Sequence, residues 1–117
     1  MATKATQEVH VFVRDLGNGV KEAHVWPPVL FAAKSTGGPG SNGDTIDFIN
    51  STNDDILLVF PDVFTNVGDN RKQIAKGTKH SPQVIHTAPS GRQTYSIFCA
   101  ETGSVAIGGS PPEVIIE

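Results

Sequence analysis

Residues 43–50 read Gly43-Asp44-Thr45-Ile46-Asp47-Phe48-Ile49-Asn50. Polar and apolar residues alternate from Thr45 to Asn50, which is the period of a strand whose successive side chains point to opposite faces. Gly43-Asp44 supplies the turn that precedes it. Upstream lies Ser35–Asn42, the sequence STGGPGSN, too rich in Gly and Ser to pack; it reads as an exposed loop leading into a core strand. Downstream, Ile56-Leu57-Leu58-Val59-Phe60 is a continuous apolar run of five, which suits a strand buried on both sides or at one end of a sandwich.

The same reading extends to both termini. Val9, Val11 and Val13 alternate along Val9–Arg14 and share one face of a first strand. The turn residues Asp15-Leu16-Gly17-Asn18-Gly19 then predict a hairpin with Val20–Trp26. Placing Ala23 and Val25 on the inner face with the valines opposes Val9 to Val25 and Val11 to Ala23, a register that sets His10 opposite His24. Trp26-Pro27-Pro28 halts ladder pairing because proline has no amide donor, and Val29–Ala33 offers a further short strand. In the polar stretch 61–79, Asp69 and Asn70 are candidate caps for a turn of helix over Arg71–Ala75. Strands at Gln83–Thr87, Thr94–Cys99 and Glu113–Glu117 complete a count of about seven or eight, the pattern of an all-β sandwich or barrel.

Composition bounds the rest. A chain of 117 residues with 38% hydrophobic and 18% charged residues, 12 Gly and 8 Pro is expected to form one domain over residues 1–117, built from many short elements. The net charge of −3, from 12 acidic and 9 basic residues, gives no electrostatic reason to expect nucleic acid as a partner. No stretch reaches the roughly 20 apolar residues of a membrane span, and Met1–Gln7 is polar, unlike the apolar region of a signal peptide. A single cysteine, Cys99, excludes an intrachain disulfide and every multi-cysteine metal pattern.

The order of landmarks resembles that of the cupredoxins, plastocyanin-like ones in particular. An apolar strand is followed by Trp26-Pro27-Pro28, then by Gly43-Asp44-Thr45-Ile46-Asp47-Phe48-Ile49-Asn50, later by Tyr95-Ser96-Ile97-Phe98-Cys99, and last by a β-branched strand. The similarity spans nearly the whole chain, with Ser35–Asn42 standing as an insertion and Asp62–Lys79 matching poorly. It implies a Greek-key β-sandwich, and with it a copper site of two imidazoles, one thiolate and a weak axial thioether, a set that suits both copper oxidation states. The first imidazole falls on Ile56 or Leu57. The thiolate is kept as Cys99, the second imidazole falls on Thr102 and the axial methionine falls near Ile107. The only Met is Met1, and no histidine follows His86. The expectation is thus a cupredoxin-like domain without type 1 copper, in which Ile56 and Ile107 close a hydrophobic plug around Cys99. The resemblance also suggests a periplasmic or other extracytoplasmic home if a leader has been removed, while the residues themselves leave the compartment open.

Other constellations carry blander readings. Cys99 at the end of a core strand reads as a small buried hydrophobe rather than a reactive thiol. His80 and His86 lie six residues apart, roughly 20 Å along one extended strand at about 3.3 Å per residue, and share a metal only across a bend, which Pro82 permits. His10 and His24, if opposed, bring their Cβ atoms within about 5 Å, close enough to grip one Zn or Cu ion, although a surface pair without metal is the plainer reading. No G-x-S-x-G elbow, zinc-protease helix or phosphate-binding loop occurs. Two classes of function remain: a non-catalytic binding or assembly module that recognises another protein or itself through its end loops, with no cofactor, and a divergent copper or redox protein pairing Cys99 with His80 or His86.

Overall fold

The structure is a computed structural model, and it describes residues 6–34, 42–61, 63–64, 70–85, 87–106 and 112–117. Some sequence expectations fall partly or wholly outside these: the loop expected over Ser35–Asn42 is described only at Asn42, which opens a strand, and the candidate cap Asp69 and positions His86 and Ile107 lie outside the described residues.

Among the described residues, twelve strand segments are β1 (Thr6–Gly17), β2 (Val20–Trp26), β3 (Val29–Ala32), β4 (Asn42–Asn50), β5 (Ile56–Val59), β6 (Arg71–Ile74), β7 (Lys79–His80), β8 (Gln83–Ile85), β9 (Gly91–Thr94), β10 (Ser96–Cys99), β11 (Ser104–Val105) and β12 (Glu113–Ile116). The count exceeds the predicted seven or eight for three reasons, of which one, strand β6 in place of a predicted helix, is taken up below. The two-residue strands β7 and β11 are too short to show a period in sequence, and the predicted strand Thr94–Cys99 is broken at Tyr95, whose amide turns to the Pro112 carbonyl.

That break joins two sheets. β9 lies in the sheet β3-β12-β9 and β10 in the sheet β11-β10-β5-β6, so one run of chain belongs to both; the remaining strands form a sheet of order β2-β1-β4-β7, with β8 also on β4. After β3 leaves for the second layer, β4 returns to lie parallel beside β1, and β12 pairs parallel with β3. These crossing connections make an all-β Greek-key sandwich.

Period-2 alternation fills its interior. Val9 and Val11, Ala23 and Val25, Leu30 and Ala32, Ile46 and Phe48, Ile56 and Leu58, Ile97 and Cys99, Val114 and Ile116 all bury on the inward faces and merge into one core. The run 56–60 is buried on one face only, since Leu57 and Val59 remain half-buried outside. Phe48 sits at the centre, edge-on to Phe64 at 5.9 Å and to Tyr95 at 5.6 Å, an arrangement that sets ring edges against ring faces.

The predicted helix over Arg71–Ala75 is instead strand β6, paired antiparallel with β5 through Ile56↔Ile74 to Val59↔Arg71. Asn70 has a φ of 60° and turns the chain into the ladder rather than capping a helix. Four residues with one apolar position carry too weak a period for sequence to decide; the open edge of β5 decides it.

Candidate functional site

At one end of the sandwich, Cys99 of β10 lies directly opposite Ile56 of β5, and Ile56 lies opposite Ile74 of β6. All three side chains are buried, and the thiol is free. Sulfur therefore sits in a row of aliphatic groups that carry no donor atoms for a metal. Thr102 stands in the tight turn between β10 and β11. Its hydroxyl donates to the Cys99 carbonyl at 3.5 Å and shares a hydrogen bond of 2.8 Å with the Ser104 hydroxyl. Gly103, with φ of 66°, lets the same turn close by donating its amide to the Cys99 carbonyl at 2.9 Å.

The surrounding loops are bound together from below by Asn50, whose role the alternating pattern did not disclose. Its amide nitrogen donates to the carbonyls of Asp54 at 2.8 Å and Ile74 at 2.9 Å, while its oxygen accepts from the Thr52 amide and hydroxyl at 2.9 and 2.7 Å. One fully satisfied buried side chain thereby fixes the end of β4, the 51–55 turn and the end of β6. Glu101 also accepts from the Asn53 amide at 2.8 Å and pairs with Lys21 at 3.6 Å, tying the β10–β11 turn to the turn end of the β1–β2 hairpin.

The predicted opposition of His10 and His24 does not occur. The hairpin pairs His10 with Trp26 and Phe12 with His24, two residues away from the predicted register. Both registers bury the same valine and alanine face, because any shift of two preserves it. The turn chooses between them: Asn18 and Gly19 both have positive φ, 54° and 75°, and form a two-residue connection closed by Gly17↔Val20, with Leu16 bulged out of β1. The two imidazoles are diagonal neighbours, each turned to a glutamate two residues back on its own strand: His10 to Glu8 at 3.7 Å and His24 to Glu22 at 2.6 Å. His24 also stacks on Phe12 at 5.7 Å.

His80 is set apart from both, in β7 opposite Phe48. Burial, and then the charge of Lys72 across the edge of the sandwich, hold its imidazole below the usual 6.5, and its Nε2 has no hydrogen-bond partner among the described residues. Among the described residues, no group of three or more His, Cys, Asp and Glu gathers where it could hold a metal ion, and no helix is long and apolar enough to cross a membrane.

No protein-family model and no curated protein matches the chain. A solved structure does: a multicopper oxidase matches with a TM-score of 0.58 at 15% identity, over 96% of this chain and 41% of that one. The chain thus spans about two-fifths of the length of the oxidase it matches, and identity so low speaks for the fold alone. Together with the sheet order, this bears out the resemblance read in the Gly43–Asn50 and Tyr95–Cys99 stretches: the fold of this chain is cupredoxin-like.

Proposed function

We propose that the chain is a non-catalytic cupredoxin-like domain without a type 1 copper site, serving as a binding or assembly module for another protein or for a second copy of itself. The observation that carries this reading is the pairing of the Cys99 thiol with Ile56, backed by Ile74, in a closed aliphatic interior. A compact copper site needs imidazole nitrogen beside the thiolate. Isoleucine supplies none, and the Thr102 hydroxyl is engaged with its own turn, so this donor set does not fit copper. Large apolar side chains that remain exposed on the sandwich, Trp26, Phe31 and Phe98 among them, offer contact area for a protein partner instead.

Titration with Cu(II) followed in the visible range tests the reading. The wild-type chain develops no intense thiolate-to-copper band, and its spectrum matches that of Cys99→Ser. A stoichiometric band abolished by Cys99→Ser overturns the proposal in favour of a divergent copper or redox protein, in which His80 or His86 would supply the imidazole.

A further inference from the structure

The sheet edges of this protein differ in how they are protected. β7 and β11 have two residues each. β6 carries Arg71 and Lys72, both exposed. β3 follows the Pro27-Pro28 pair and its Phe31 carbonyl accepts from the Gln7 side chain. β9 has four residues and carries exposed Arg92, paired with Glu113 at 3.5 Å. Shortness, charge and prolines of this kind are how natural sheets discourage further strand addition. β2 is the longest of these edges, and its exposed charge, Lys21, is drawn aside to Glu101 at 3.6 Å. It runs seven residues, Val20–Trp26, without Gly or Pro, ends its sheet, and pairs with β1 alone among the described strands.

The sequence of β2, Val20-Lys21-Glu22-Ala23-His24-Val25-Trp26, complements itself when reversed. Laid antiparallel against a second β2 about a two-fold axis through Ala23, it opposes Glu22 to His24 of the other copy, twice, and Val20 to Trp26, also twice. These four residue types are those on the outward face, since Ala23 and Val25 are buried inward. Val20 and Trp26 are 53% and 64% exposed, so each apolar side chain left in water by one copy meets its counterpart in the other. The register is fixed from both ends: Asn18-Gly19 turns the chain before Val20, and Pro27 and Pro28 offer no amide beyond Trp26. Only the pairing centred on Ala23, the middle residue, uses all seven positions.

We propose that β2 is a self-association edge, and that two copies of this chain join through it into a two-fold symmetric dimer with one continuous sheet. The interface is isologous, as a two-fold dimer requires. It is also small, so association depends on concentration. The proposal names the partner left open by the assembly reading above and rests on that reading, yet it does not involve Cys99: copper binding at Cys99 would remove the reading and leave the dimer to be measured, whereas a monomer removes the dimer and leaves the copper result untouched.

Sedimentation equilibrium of the whole chain from about 1 µM to about 1 mM, with Trp26 fluorescence read in parallel, tests it. Trp26 is the only tryptophan and reports the interface directly. The expected result is a mass rising from one chain to two, with Trp26 emission moving to the blue in step. Glu22→Lys removes the carboxylate that His24 of the other copy meets and raises the dissociation constant about tenfold, while the exchange Glu22→His with His24→Glu keeps a carboxylate opposite an imidazole and restores it to within about threefold. Val20→Asp, at an exposed position beside the turn, weakens the dimer without touching the core; circular dichroism confirms that each variant folds. The mass of one chain throughout, or a dimer that neither Glu22→Lys nor Val20→Asp weakens, overturns the proposal.

Discussion

The Tyr95 hydroxyl lies buried among the rings around Phe48 with no hydrogen-bond partner among the described residues. Leaving such a group unpaired costs stability, because water is lost and nothing replaces it. Tyr95→Phe is therefore expected to raise stability by about 1 kcal/mol in urea unfolding, against the usual penalty of a core change. The same burial pushes the phenol above its ordinary pKa of 10.0. The unfolded chain then releases this proton first as pH rises past about 10. Stability from the neutral phenol is thus complete below that pH and falls above it, and Tyr95→Phe removes this part of the alkaline loss in a melting series across pH.

At the scale of elements, the backbone beyond β3 and the start of β4 approach each other closely. Asp44 donates its amide to the Ala33 carbonyl at 2.9 Å and accepts from the Ala33 amide at 2.9 Å through its carboxylate. Beside it, a Cβ on Gly43 would lie 2.1 Å from the Ala33 oxygen. Gly43→Ala must push two backbones apart, and a loss of about 3 kcal/mol in chemical denaturation is expected; a loss below about 1 kcal/mol would show that the strands part freely. The Gly-Asp step thus has a local cause, although sequence displayed only its turn character. The hairpin teaches a related lesson: which face of β1 and β2 is buried follows from alternation, but the register followed from two φ angles at Asn18 and Gly19 that the longer reading of the turn had spread over five residues.

For the whole molecule, His80 on one sheet feels the charge of Lys72 on another, and neither position predicts the other in sequence. Burial first, and Lys72 second, lower the imidazole's affinity for a proton. Below about pH 6.5 the unfolded chain takes up that proton more readily than the folded one, so stability present above this pH declines as pH falls through it. Lys72→Gln is expected to soften the decline as pH falls below about 6.5 in thermal melts, and a profile identical to wild type would show that Lys72 does not act on His80. The copper titration and the β2 association measurement stand at this scale too, since each asks what the assembled sandwich presents to its surroundings.

Side-chain period and turn residues by themselves determined the all-β class, the inward faces of the main strands and the cupredoxin-like order of landmarks, because these depend on neighbours within a few positions along the chain. Only the tertiary structure decided the hairpin register, the strand nature of Arg71–Ile74, the break at Tyr95 and the row in which Cys99 opposes Ile56 and Ile56 opposes Ile74. The register rests on the backbone angles of two turn residues, and the others on which strand edge lies open to receive another, a property of segments far apart in sequence that no local pattern encodes.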